Sequence, residues 1–110
     1  MTNFYQKLIR DREPEIAKEN GEAIQYHYAT TDQEFEMMLI QKFQSEFSAF
    51  SKKPNIENMA SVLDVIDAII TLKNFDHKEI DAIRENNAIE YGLYEDRIIL
   101  DSRENGQQDI

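Results

Sequence analysis

The stretch Ile56 to Leu72, IENMASVLDVIDAIITL, decides the fold. Read as an α-helix, it is apolar around most of its circumference, through Ile56, Met59, Ala60, Val62, Leu63, Val65, Ile66, Ile69, Ile70 and Leu72. A surface helix needs only one apolar stripe, so this one is expected at the centre of a bundle. Asn58, Ser61 and Asp64 nevertheless recur three residues apart, which stacks them along one edge. Polar groups buried without partners are costly, so this edge must be hydrated, paired or bound to something. It is the first candidate for a site.

Outward from this helix, local signals mark the remaining elements. Thr31 followed by Glu34 forms a capping box, and Phe35, Met38, Leu39, Phe43, Phe47 and Phe50 follow helical spacing behind it. Lys52 and Lys53 suit the negative end of that helix, Pro54 stops it, and Asn55 is placed to cap the central helix. Asp76 with Glu79 opens a further helix from His77 to about Tyr91, closed by Gly92. Upstream, Pro14 and its acidic neighbours predict a short helix over 11–20, ended by Asn20-Gly21. Ala23 to Ala29, AIQYHYA, has strand character, and Arg97 to Leu100, RIIL, is the natural partner for it. The expected fold is mainly α: a four-helix bundle with a small two-stranded β accessory. One domain over 1–102 is expected, with a polar, frayed tail over 103–110.

Composition narrows the function. The chain has 110 residues and no cysteine, which removes disulfides, thiolate metal sites and cysteine nucleophiles, and fits a cytoplasmic location. The opening MTNFYQKLIRDRE carries charges where a signal peptide needs an apolar core, and Asp64 and Asp67 interrupt the longest apolar run, so no membrane partner is expected. Acidic residues outnumber basic ones 22 to 12, a net charge of −10. That opposes direct nucleic-acid binding, which needs clustered Lys and Arg. The acidity reads first as a solvated surface. It is also compatible with an acidic interaction protein that mimics nucleic acid. Neither His27 nor His77 has a second histidine at ligand spacing, and the phenylalanines of 35–50 read as core or dimer interface. Apolar positions on two sides of the helix over 32–51, Met37 and Ile40 against Phe35, Leu39 and Phe43, predict a homo-oligomer, most simply a dimer.

Two segments carry a family resemblance. Lys7 to Ile16, KLIRDREPEI, is similar to the KLVRDKIPEI opening of short MazG-like proteins, and Met59 to Ile66, MASVLDVI, is similar to their LADVLEVI. The likeness also takes in Asn20-Gly21 and the Asp32 to Phe35 helix start, and covers nearly the whole chain. These proteins belong to the all-α NTP pyrophosphohydrolases, in the subgroup described as phosphoribosyl-ATP pyrophosphohydrolase-like. The resemblance implies magnesium as cofactor, a nucleotide as ligand, and carboxylates written EExxE on one helix and ExxD on the next. Carried over, EExxE falls on Ser45, Glu46 and Ala49, and ExxD on Asn58 and Ser61. Glu46 alone keeps its acid, and Asp64 matches a further acidic position. These two are the candidate metal and catalytic residues, and the other four stand where ligands have been lost. A glycine-rich basic segment of the family is replaced by Glu90-Tyr91-Gly92-Leu93-Tyr94. Lys7, Arg10, Asp11, Arg84 and Arg97 remain as candidate substrate contacts; alternatively Arg10, Asp11 and Glu15 form a surface ion-pair cluster. The implied activity, NTP to NMP and pyrophosphate, thus meets a depleted site. The expected function is a nucleotide-binding or regulatory module, with an active enzyme using a reduced site as the alternative.

Overall fold

The structure is a computed structural model and describes residues 6–104. Residues 105–110 of the expected polar tail lie outside the described residues. Among the described residues the protein is mainly helical, with α1 (Glu13–Glu19), α2 (Asp32–Lys52), α3 (Ile56–Lys73) and α4 (His77–Tyr91). These fall into two compact units, one ending at Phe75 and one beginning at Asp76.

In the first unit, α2 and α3 form an antiparallel hairpin. Its ends are fixed by polar contacts: Lys73 Nζ lies 2.6 Å from Glu36 Oε1 at the open end, and Asn58 Nδ2 donates to the Lys53 carbonyl at 2.8 Å at the turn. Between them runs a seam with alternating steps of four and three residues, Phe35, Leu39, Lys42, Glu46 and Ala49 on α2 and Asn58, Val62, Val65, Ile69 and Leu72 on α3. That spacing keeps one stripe of each helix facing the other. Leu39, Val62 and Val65 are buried, and Leu39 is only 1 % exposed. Burying each such side chain contributes roughly 1.5–3 kcal/mol.

Within the first unit the expected central helix is one arm of this hairpin. Ile56, Met59 and Leu63 on α3 are exposed, as are Met37, Ile40 and Phe47 on α2. At the turn, Phe50, Pro54, Ile56, Met59, Ala60 and Leu63 line an open apolar groove.

Helix starts follow the capping residues. Thr31 Oγ1 accepts from the Glu34 amide at 3.1 Å, and Asn55 Oδ1 from the Asn58 amide at 2.8 Å. Asp76 caps α4 through the Lys78 amide at 3.0 Å, with no bond to Glu79 of the expected box. Asn74 ends α3 in the left-handed region at φ 55°, a conformation its short polar side chain tolerates. The short first helix begins at Glu13, two residues later than expected, because Arg12 offers no side-chain cap and the Glu13 carboxylate instead accepts from the Arg10 amide.

The expected β accessory is corrected. Among the described residues no strand occurs, and neither 24–28 nor 97–100 is paired. Arg97 has φ 60°, which breaks the extended path that RIIL needs, and Ile98 and Ile99 are more than four-fifths exposed. The 23–30 stretch is tied to the start of α2 instead: Glu34 Oε1 accepts from the Thr30 amide at 3.2 Å, and Oε2 lies 3.0 Å from His27 Nε2. No helix among the described residues is long and apolar enough to cross a membrane.

Two expectations follow. Leu39→Ala should cost about 2–5 kcal/mol in chemical denaturation, because the cavity lies at the only fully buried point of the seam. The hydrogen bond to His27, then that from Thr30, holds the Glu34 carboxyl below its ordinary 4.5. A depressed carboxyl stabilises the fold above 4.5 and loses that contribution as pH falls through the lowered value. An NMR titration should find Glu34 titrating below 4.5, and His27→Ala should move it back up.

Candidate functional site

The hairpin distributes the candidate residues unevenly. Glu46 and Ala49 on α2 and Asn58 and Ser61 on α3 are half-buried, with Glu46, Ala49 and Asn58 on the seam itself. Ser45 and Asp64 are exposed. Asn58 Nδ2 comes within 3.4 Å of the Ala49 carbonyl, so these two positions do meet across the turn.

Each remaining acid already holds a cation. Glu46 Oε1 is 3.1 Å from Lys42 Nζ one turn earlier, and both side chains are about one-fifth exposed. Lysine preceding glutamate is the weaker order for such a pair along a helix, so its position in the seam matters more than its helical spacing. A charge this well covered needs a partner, since water can no longer solvate it fully. Asp64 Oδ2 is 2.9 Å from Arg10 Nη2, with both side chains more than half exposed. In solvent such a bridge is worth about 0–1 kcal/mol, so it shows where the KLIRD segment lies against α3 and adds little to hold it there. The expected Arg10-Asp11-Glu15 cluster is thereby corrected. Arg10 reaches Asp64, Arg12 takes Glu15 at 3.1 Å, and Asp11 is exposed in the preceding turn.

Asn58 was expected at a vacated ligand position, on an edge that must be hydrated, paired or bound. Its amide instead bridges the Ala49 and Lys53 carbonyls at the C-terminal end of α2, a second donor to each beside the Lys53 and Asn55 backbone amides. A carboxylate has no donor to offer there. The clue lay in Lys53-Pro54-Asn55: so tight a turn between helices leaves the carbonyls of one helix facing the first turn of the next.

These residues do not fit a magnesium ion. Magnesium asks for hard oxygen ligands in octahedral array. Here Lys42 and Arg10 engage the two carboxylates, and Asn58 turns its donors to backbone oxygens. Among the described residues no group of three or more His, Cys, Asp or Glu side chains is placed to hold a metal.

The candidate phosphate contacts are divided between the units. Lys7, Arg10 and Asp11 belong to the first, while Arg84 on α4 and Arg97 belong to the second. In the second unit a shallow cleft is lined by Tyr91, Gly92, Tyr94, Glu95, Asp96 and Arg97. Two carboxylates against one guanidinium suit a phosphate poorly. No family model matches this chain, and no curated protein or solved structure matches it.

Asn58→Glu, the change that would recreate a family acid, should destabilise the protein by about 1–2 kcal/mol through loss of its donated hydrogen bonds. Chemical denaturation of this variant beside Ser61→Asp checks it; the second change disturbs neither bond and should cost less.

Proposed function

We propose that this chain is a MazG-like protein whose metal site has been given over to internal ion pairs, and that it works as a homodimeric regulatory or binding module. One observation carries the reading: the two acids left from the implied magnesium set, Glu46 and Asp64, are each neutralised by a cation of the same chain, Lys42 and Arg10. Pyrophosphate release from a nucleotide requires charge to be neutralised on the polyphosphate and a water to be oriented for attack. Carboxylates engaged by lysine and arginine supply neither function.

The hairpin supports the same reading from the other side. An antiparallel pair of long helices with a second apolar side is half of a four-helix bundle, and a second copy completes it. Arg10, the cation of the opening motif that meets α3, is engaged by Asp64, which favours a positioning role for that motif over a grip on phosphate. A nucleotide remains the ligand class that the resemblance implies. On this reading it would be bound without turnover.

Pyrophosphate release measured over a panel of NTPs and dNTPs, with magnesium or manganese, should stay at the buffer rate. Millimolar magnesium should leave the melting temperature unchanged, since a ligand stabilises only what it binds. Release that Glu46→Gln abolishes would instead establish an enzyme with a reduced site.

A further inference from the structure

The end of α1 joins a structural need to a chemical weakness. Gly21 stands in the left-handed region at φ 73°, where a side chain is strained, and this lets the chain turn back on the helix. Its amide donates to the Lys18 carbonyl at 3.1 Å, and the next amide, of Glu22, donates to the Ala17 carbonyl at 2.9 Å. The two bonds close the helix in the manner of a Schellman turn.

A glycine after asparagine is also the step at which a peptide chain most readily attacks itself. Gly21 has no side chain to obstruct its nitrogen, and nothing lies within 4 Å of where a Cβ would stand. The nitrogen gives up its proton and bonds to Cγ of Asn20, the Cγ–Nδ2 bond breaks, and ammonia leaves with that proton. Water then opens the succinimide ring. Opening at Cγ leaves aspartate; opening at the backbone carbonyl leaves isoaspartate, with the chain routed through the side chain. Only water is consumed. Every other asparagine among the described residues precedes a residue with a Cβ: Asn55, Asn58, Asn74, Asn86 and Asn87.

The folded cap holds the reacting atoms apart. Asn20 has φ −87° and ψ 4°, a near-helical backbone that turns the Gly21 nitrogen away from Cγ. Ring closure requires a rotation about ψ out of the helical region, and that rotation breaks both cap bonds. α1 is itself weak. It has 7 residues, Arg12 gives it no side-chain cap, and Ala17 is its buried residue, so it falls well short of the length at which a helix holds alone. Its opening is a local event, separate from loss of the α2–α3 seam.

We infer that Asn20 is a deamidation site gated by α1, shut while the cap stands and open each time the helix frays. The record it leaves is permanent. Either product places a carboxylate at the negative end of the α1 dipole, in a chain whose net charge is already −10. Isoaspartate also adds a methylene to the main chain, so the amides of residues 21 and 22 no longer meet the Lys18 and Ala17 carbonyls together. Modified chains therefore keep the end of α1 open.

Peptide mapping by mass spectrometry at mildly alkaline pH, with aspartate and isoaspartate resolved, follows Asn20 in the full-length protein. A synthetic peptide spanning 13–24, too short to hold a helix, is followed beside it. The chain's other Asn-Gly step, Asn105-Gly106, lies outside the described residues and is read in its own fragment. Asn20 should convert about tenfold more slowly in the protein than in the peptide. Lys18→Gly, an exposed change that weakens α1 without touching a buried residue, should speed conversion at Asn20 about three- to fivefold and leave Asn105 unchanged. Equal rates in protein and peptide, or a Lys18→Gly rate no faster than that of the unmodified protein, overturn the gate. A peptide that converts no faster than its Gly21→Ala counterpart overturns the site itself.

Discussion

The first unit depends on one seam. Leu39, Val62 and Val65 are its buried points, and around them the two long helices hold a register closed at one end by Glu36 with Lys73 and at the other by Asn58. A hairpin of two helices can bury only the stripes that face each other. The other apolar positions of α3, which made it read as a central helix, include the exposed Ile56, Met59 and Leu63.

The seam also accounts for the fate of the candidate site. Glu46 lies in it between apolar layers, where a lone carboxylate would be expensive, and Lys42 one turn earlier supplies the counter-charge. Asn58 lies at its end, where its amide donates to the Ala49 and Lys53 carbonyls and a carboxylate would set negative charge against them. Asp64 lies off it, in solvent, free to receive Arg10 from the N-terminal segment. Each position is served by a group that suits hairpin packing and is ill suited to a divalent cation. The pairing of Arg10 with Asp64 gives the opening motif a role without substrate: it joins a sequence-distant segment to α3.

What was legible beforehand is what short-range chemistry determines. Thr31 and Asn55 cap their helices as read, Pro54 separates α2 from α3, and Gly92 closes α4, because a cap needs only residues within a turn of it. The strand pair failed for the opposite reason: β character in AIQYHYA and RIIL says nothing of a partner, and Arg97 in a left-handed conformation is invisible in composition. Of the candidate site, the positions were readable but the partners were not. Arg10 with Asp64 spans more than fifty residues, and only the placement of the N-terminal segment brings them together. The Asn58 edge was legible as one needing partners, while the carbonyls that its amide meets become apparent only once the hairpin turn is built.

The central claim is that Glu46 and Asp64 are occupied by cations of their own chain. Manganese, which binds like magnesium and broadens nearby NMR signals, tests it most directly. Titrated into the labelled protein, it should produce no selective broadening of residues 42–49 on α2 or 58–64 on α3, only weak and diffuse effects across the acidic surface. Selective broadening centred on Glu46 and Asp64 at low manganese would show that the ion displaces Lys42 and Arg10, and would contradict the account.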